Sequence, residues 1–126
     1  MAEHNDLGKW GEQLARDLLI AKGYGIIETN WRSCNLELDI IAQKGCRVVF
    51  IEVKTRSDDY VDPLQAIDRK RINHLVRAAR SYIEAYDLKL EYQFDIITVV
   101  GHPASNEKPK IEHIEDAFLP PLRSYR

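Results

Sequence analysis

The stretch that decides the fold is RVVFIEVK, residues 47–54. After its leading arginine it is apolar at every position until Glu52, which is typical of a central strand covered on both faces of a sheet. Because side chains alternate along a strand, Glu52 and Lys54 project from one face while Ile51 and Val53 project from the other. The stretch therefore predicts a buried strand with two charged groups on the same face near its end.

Two similar segments precede this strand. Residues 25–31 and 36–42 derive their apolar character mainly from Ile and Leu. Polar turn sequences at 33–35 and 43–45 separate the segments. Because short turns join antiparallel neighbours, the sequence predicts a three-stranded antiparallel meander that ends in residues 47–54.

The remaining elements follow from helical periodicity and from two later apolar runs. Apolar residues recur at the helical period over residues 8–22, and Gly23 is a suitable stop. A longer second helix is predicted from Asp62, an N-cap residue followed by a proline, to about residue 86. Further strands are predicted at 92–100 and, as a short edge strand, at 111–114.

The predicted order is α-β-β-β-α-β, in which the long helix is a crossover between two parallel strands. No internal repeat or linker interrupts the pattern. We therefore expect one α/β domain over residues 1–126, with a mixed sheet flanked by helices. Pro120 and Pro121 cannot continue a helix, so we expect residues 116–126 to form a surface tail.

The composition, 44% hydrophobic and 30% charged, is that of a soluble globular protein. No stretch approaches the ~18 apolar residues of a membrane span, and residues 1–8 lack the pattern of a secretory signal. We expect a cytoplasmic protein with no membrane partner. The net charge of −2 is not that of a generally basic nucleic-acid binder, so any such function must rest on local features.

The cysteines and histidines provide no evident metal site. Cys34 and Cys46 are far apart and form no CxxC pair, which argues against structural zinc and gives no support to a disulfide framework. The histidines also lack the spacing of metal ligands. Surface or turn positions are expected for all of them: His4, His74, His102 and His113.

The carboxylates of the predicted sheet are better candidates. Alternation places Glu37 and Asp39 on one face of their strand, with Leu38 and Ile40 on the other. Ions beside a sheet core cost several kcal/mol each unless they are paired or bind a metal. Carboxylates that converge from adjacent strands make an oxygen-rich site suited to Mg²⁺ or Mn²⁺.

Lys54 completes this candidate site. A fixed cation beside the carboxylates can stabilise charge on a phosphate or help to activate a water. A simpler alternative stays open at this point, in which Glu52 and Lys54 form an ion pair at a strand end and Asp39 caps a turn. The spacing of the three residues does not choose between the two.

Nearly the whole chain resembles the YraN-type family of small bacterial proteins, which is assigned to the PD-(D/E)xK nuclease-like fold. The resemblance implies a restriction-endonuclease-like core. The matching stretches are Gly11-Glu12, Gly23-Tyr24, Asn30-Trp31-Arg32, residues 37–42, residues 49–56 and Phe94-Asp95.

By this resemblance, Asp39, Glu52 and Lys54 are the expected catalytic residues. Glu12 corresponds to the helical glutamate that resolvase-like nucleases bring to their metal, which gives Asp39, Glu52 and Glu12 as the expected metal ligands for Mg²⁺ or Mn²⁺. Gly8 lies one turn before Glu12 and Gly11 directly before it, and both would let the first helix approach the strands closely.

Two departures from the family pattern affect the expected site. Leu38 stands before Asp39 where the motif's name has proline, which is normal among these relatives. Asn35-Leu36 replaces the usual glycine-containing turn of the hairpin that presents Glu37. Glu37 is therefore either an additional site residue or the partner of an arginine.

Basic residues give the local features that nucleic-acid binding needs. Lys70, His74 and Arg77 fall on the helix face opposite the apolar stripe, with Arg71 on its flank. Arg56 adds a cation at a strand end. A solvated helix face is the alternative explanation for this basic stripe.

The leading interpretation is a divalent-metal-dependent endonuclease that hydrolyses phosphodiester bonds in DNA, including branched or structured DNA. DNA is favoured over RNA as the partner. A homodimer or a larger protein partner would supply further surface. The alternatives are a nucleic-acid-binding module without efficient cleavage and a protein-interaction scaffold, since one fold hosts many functions.

Overall fold

The apolar run at residues 47–54 lies at the centre of a five-stranded sheet in the computed structural model, which describes residues 2–58 and 68–118. The sheet has the order β1-β2-β3-β4-β5, with β1 at Gly25–Ser33, β2 at Leu36–Lys44, β3 at Arg47–Arg56, β4 at Glu91–Val100 and β5 at Lys110–Ile114. β1, β2 and β3 form the predicted antiparallel meander. β3 runs parallel to β4, as the crossover rule predicts.

Two helices cover opposite faces of this sheet. α1 spans Ala2–Ala21 and α2 spans Arg69–Ala85. We call the buried groups beneath them the α1 cluster, which includes Ala15, Leu19, Ile40, Ile51 and Ile97, and the α2 cluster, which includes Leu38, Phe50, Leu75, Ala79 and Phe94. The α/β class, the mixed sheet and the restriction-endonuclease-like core are confirmed.

The predicted helix boundaries need two corrections. The first helix begins at Ala2 rather than near residue 8. A single helix from residue 62 to 86 is wrong, because Asp68 has extended backbone angles (φ −93°, ψ −178°) and its side chain accepts a hydrogen bond from the Arg71 N–H. That bond caps a helix that starts at Arg69. Asp62, the predicted cap, lies outside the described residues.

The described part of the predicted tail packs against β4. The Ala117 N–H donates to the Phe94 carbonyl at 2.7 Å, and the Phe118 ring stacks on the Phe94 ring at 5.0 Å between centroids. Residues 119–126 lie outside the described part. Within residues 2–58 and 68–118, no helix is long and apolar enough to cross a membrane.

Candidate active site

A polar cleft opens where α1, β2, β3 and the first turn of α2 meet. Its volume is about 210 Å³. The structure brings the four principal predicted site residues into its wall, together with Arg71. The full lining is Leu7, Gly8, Glu12, Asp39, Glu52, Val53, Lys54, Thr55 and Arg71.

Asp39 reaches the cleft because strand alternation fails around it. Leu38 packs in the α2 cluster and Ile40 in the α1 cluster, so the prediction that both lie on the face opposite Asp39 is wrong. On the neighbouring strand, Asn30 has a positive φ of 54°. The regular alternation of side chains between the two sheet faces is therefore interrupted in both β1 and β2, at Asn30 and Asp39. The Asp39 Oδ2 accepts the Val53 N–H at 2.9 Å, beyond the last β2–β3 backbone pair, Ile40 with Ile51.

Glu12 is positioned by close contact between α1 and the sheet. A Cβ added to Gly11 would overlap the Thr55 hydroxyl, so only glycine allows this approach, as predicted. Gly8 makes no such contact, because a Cβ there would meet nothing within 4 Å. The Glu12 Oε1 accepts a hydrogen bond from Asn30 Nδ2 at 3.2 Å. Asn30, with its left-handed backbone, therefore holds the Glu12 carboxylate in place.

Glu52 is almost fully buried, with 4% of its surface exposed. Its partner is Arg71, whose Nε donates to Glu52 Oε2 at 2.6 Å. The simpler alternative of a Glu52–Lys54 ion pair is therefore wrong. The Lys54 side chain lines the same cleft and makes no hydrogen bond or ion pair with any residue of the described segments.

Burial and crowding of negative charge dominate the electrostatics of the cleft. Burial, together with the nearby Glu52 carboxylate, raises the pKa of Asp39 to about 7, although the hydrogen bond from Val53 opposes the rise. Burial also raises the pKa of Glu12. The hydrogen bond to Glu52 raises the pKa of Arg71. The cleft therefore disfavours the charged forms of Asp39 and Glu12, while Arg71 stays charged beside Glu52.

The donor set fits a hard divalent cation, because Mg²⁺ and Mn²⁺ prefer carboxylate oxygens. Asp39 Oδ1 and Glu52 Oε1 have no hydrogen-bond partner among the described residues. In residues 2–58 and 68–118, however, no three His, Cys, Asp or Glu side chains are already gathered as a metal site. Holding an ion would therefore require the side chains to turn towards one another, with the Arg71 guanidinium on Glu52 Oε2 as a competing positive charge.

Comparison with known proteins identifies the family. The sequence profile described as "Uncharacterised protein family UPF0102" matches residues 11–99. The chain belongs to the UPF0102 family. It is 50% identical to a UPF0102 protein of Flavobacterium psychrophilum over 94% of this chain and 98% of that protein. A UPF0102 protein of Bacteroides thetaiotaomicron is 46% identical over 97% of this chain and 99% of its own length.

The UPF0102 match confirms the resemblance to the YraN-type family. The matched segment, residues 11–99, contains every residue proposed for the candidate site. The descriptions of the family and of these relatives name no activity or ligand. What this UPF0102 member does must therefore be argued from its cleft.

The other predicted residues of this UPF0102 protein lie around the cleft or away from it. Glu37 is not in the cleft wall, and its Oε2 lies 3.2 Å from Arg32 Nη2, which corresponds to the arginine-partner alternative. Lys70 and Arg77 are exposed on α2, and His74 is half-buried. Arg56, at the end of β3, is half-buried, and its Nε has no partner among the described residues.

Two site residues were missed as such from the sequence. Arg71 was assigned only to the basic stripe, because a helix starting at residue 62 would place it mid-helix, away from the sheet end. The signal was Asp68, an N-cap residue three positions earlier, which puts Arg71 in the first turn. Asn30 lies in a stretch that matches the YraN-type family, and its physical signal is the tolerance of asparagine for a left-handed backbone.

Proposed function

We propose that this protein is a divalent-metal-dependent endonuclease that hydrolyses phosphodiester bonds in DNA. The observation that carries the proposal is the convergence of Glu12, Asp39, Glu52 and Lys54 from three elements on one cleft. Carboxylates for a cation and a free amine beside them are the groups that phosphoryl-transfer sites need.

Asp39 and Glu52 would hold Mg²⁺ or Mn²⁺, with Glu12 from α1 as the third carboxylate. Such an ion supplies activation of a water and neutralisation of charge on the phosphate. The raised pKa of Asp39 and of Glu12, caused first by burial and then by neighbouring carboxylates, supports this assignment, because buried carboxylates gain from a shared cation. Asn30 keeps the third carboxylate on the cleft side by its hydrogen bond.

Lys54 would contact the scissile phosphate or its attacking water. Its amine lines the cleft, and no described residue engages it, so it is available to a ligand. In a half-buried cleft, a fixed ammonium stabilises developing negative charge more strongly than in water. Lys70 and Arg77 on the exposed face of α2 would contact phosphates further along the strand.

The test is a cleavage panel over single-stranded, duplex and four-way branched DNA with Mg²⁺ and with Mn²⁺. We expect wild-type cleavage, a loss on the order of 10²–10³-fold for Lys54→Ala, and loss of both cleavage and metal binding for Asp39→Ala. Lys89→Ala is the matched control, because that lysine is exposed and pairs with Asp87 away from the cleft. Absence of calorimetric metal binding by the wild type would overturn the proposal.

The Arg71–Glu52 pair favours a second candidate, a nucleic-acid-binding module without cleavage. In that case Arg71 would replace the metal permanently as the counter-charge of Glu52. This candidate predicts salt-dependent DNA binding that weakens on Lys70→Ala or Arg77→Ala, with no metal binding. A gel-shift series over salt concentration, run beside the calorimetry, separates it from the nuclease.

A further inference from the structure

Arg71 is the one cation that contacts a cleft carboxylate within the described segments, and it is held in two different ways. Its backbone N–H donates to the Asp68 side chain at 2.9 Å, which fixes the start of α2. Among the described residues, its side chain makes one hydrogen bond, from Nε to Glu52 Oε2 at 2.6 Å. The side chain is 41% exposed, whereas Glu52 is buried. The guanidinium can therefore move while its backbone stays in place.

We propose that Arg71 is a movable counter-ion: it neutralises Glu52 when no metal is bound, releases Glu52 to a divalent cation, and then binds a phosphate of the nucleic acid. This inference rests on the proposed nuclease function and assigns Arg71 a positioning role in metal binding and a phosphate-binding role in substrate recognition.

Competition for Glu52 is the first step of the argument. A cation held by Glu52 would face the guanidinium, which stays charged at every physiological pH. Two positive charges beside the same carboxylate repel each other strongly in a partly buried cleft. Arg71 therefore opposes metal binding as long as it keeps its hydrogen bond to Glu52.

The remaining donors of Arg71 are the second step. A guanidinium has five N–H groups in a planar fork, and the described contacts use only Nε. Arginine forks bind phosphate oxygens in pairs, with a geometry that a lysine cannot match. Arg71 and Lys54 line the same cleft, so a released guanidinium would donate to a phosphate bound in that cleft.

Loss of the Arg71 guanidinium should therefore change the metal affinity and the DNA affinity in opposite directions. Removing the guanidinium should tighten metal binding to the free protein, because Glu52 loses its competitor. The same change should weaken DNA binding in the presence of metal, because a phosphate ligand is lost. In the wild type, DNA should raise metal affinity and metal should raise DNA affinity by the same factor, since coupling between two binding sites is reciprocal.

The experiment measures Mn²⁺ binding by calorimetry and DNA binding by fluorescence anisotropy of a labelled four-way junction. All proteins carry Lys54→Ala, so that the DNA stays intact. Arg71→Met keeps the shape of the side chain without its charge, and Arg71→Lys keeps the charge without the fork. Lys89→Ala is the matched control, because Lys89 is an exposed cation that pairs with Asp87 away from the cleft.

We expect Arg71→Met to bind Mn²⁺ roughly tenfold more tightly and the junction, with Mn²⁺ present, roughly tenfold more weakly. Arg71→Lys should lie between this variant and the parent. Lys89→Ala should leave both affinities unchanged. Melting curves of each variant give the folded fraction, so that a folding defect is not counted as lost binding.

Unchanged or weaker Mn²⁺ binding by Arg71→Met would overturn the inference and identify Arg71 as a fixed structural partner of Glu52. The proposed nuclease function would survive that result, because the Lys54→Ala parent would still bind the ion. If neither the parent nor Arg71→Met binds Mn²⁺, the nuclease proposal fails and the inference fails with it. The two failures are therefore distinguishable.

Discussion

Asp39 has a pKa well above that of an ordinary surface carboxylate. Its pKa is raised to about 7 from 3.8, by burial first and by Glu52 second. Between these two pH values the unfolded chain has lost the proton and the folded protein has kept it. The folded state then binds more protons, so the free energy of unfolding falls as pH rises through this window, by at most about 1.4 kcal/mol per pH unit for one proton.

We predict that Asp39→Asn removes this fall from the metal-free protein. Urea unfolding in a chelating buffer at pH 4.5, 5.5, 6.5 and 7.5 gives the free energy of unfolding at each pH. The slope of this free energy against pH is then compared between the variant and the wild type. Glu12, whose pKa burial also raises, contributes a smaller fall of the same sign that the variant keeps. Equal slopes in both proteins would show that Asp39 titrates normally.

The identity of the site residues was predictable, but their geometry was not. Glu52 and Lys54 stand out in the sequence because charges interrupt an apolar strand. The position of Asp39 depends on two features: the irregular backbone at Asn30 in the neighbouring strand and the hydrogen bond from the Val53 N–H. A sequence pattern of period two assumes regular alternation and cannot anticipate such a break. His113 shows the same limit, since its side chain is 3% exposed although a surface or turn position was expected.

The start of α2 determines where Arg71 lies. We predict that Asp68→Ala lowers the free energy of unfolding by about 1 kcal/mol, because the Arg71 N–H loses its side-chain acceptor. Urea denaturation measures the loss. Asp68→Asn keeps a capping oxygen and should cost much less, and Glu84→Ala, at an exposed position of the same helix, should have little effect. An equal loss of unfolding free energy in Asp68→Asn and Asp68→Ala would mean that Asp68 does not act as a cap.

The elements themselves were largely predictable, because each strand is an apolar run with polar turns at its ends. All five predicted strands are present, and the observed bounds extend most of them by one or two residues. The errors lie at the starts of the two helices, and the one in α2 affects the site. Leu64 and Ile67 continue the helical spacing upstream of Asp68 in the sequence, and periodicity alone does not show a break where a capping side chain competes with the helix.

A buried polar network joins distant parts of the molecule on the sheet face beneath α1. Asp95 is fully buried in β4 and accepts hydrogen bonds from Tyr24, which follows α1, and from Gln93. His113 of β5 lies 2.7 Å from Asp95, and the Asp116 N–H donates to it at 3.0 Å. One carboxylate thus ties the segment after α1, β4, β5 and the following turn together.

We predict that Asp95→Ala lowers the free energy of unfolding at pH 7 by about 3–5 kcal/mol, because it leaves buried polar partners unpaired. In this variant, amide hydrogen exchange at residues 110–114 should be faster than in the wild type, while the other strands of the sheet stay protected. Exposed Glu112 in the same strand provides the control, and its alanine variant should unfold like the wild type.

The pH dependence of stability shows whether the effect of Asp95→Ala comes from the lost charged network or from lost packing. Burial alone would raise the pKa of Asp95, but the hydrogen bonds from His113, Asp116 and Gln93 outweigh burial and lower it. The folded pKa then lies below that of the unfolded chain, so this contribution is present above about pH 4 and is lost as pH falls through the folded pKa. The difference in stability between wild type and Asp95→Ala should therefore shrink on going from pH 7 to pH 3. A difference that stays constant would mean that the cavity, rather than the charged network, accounts for the loss.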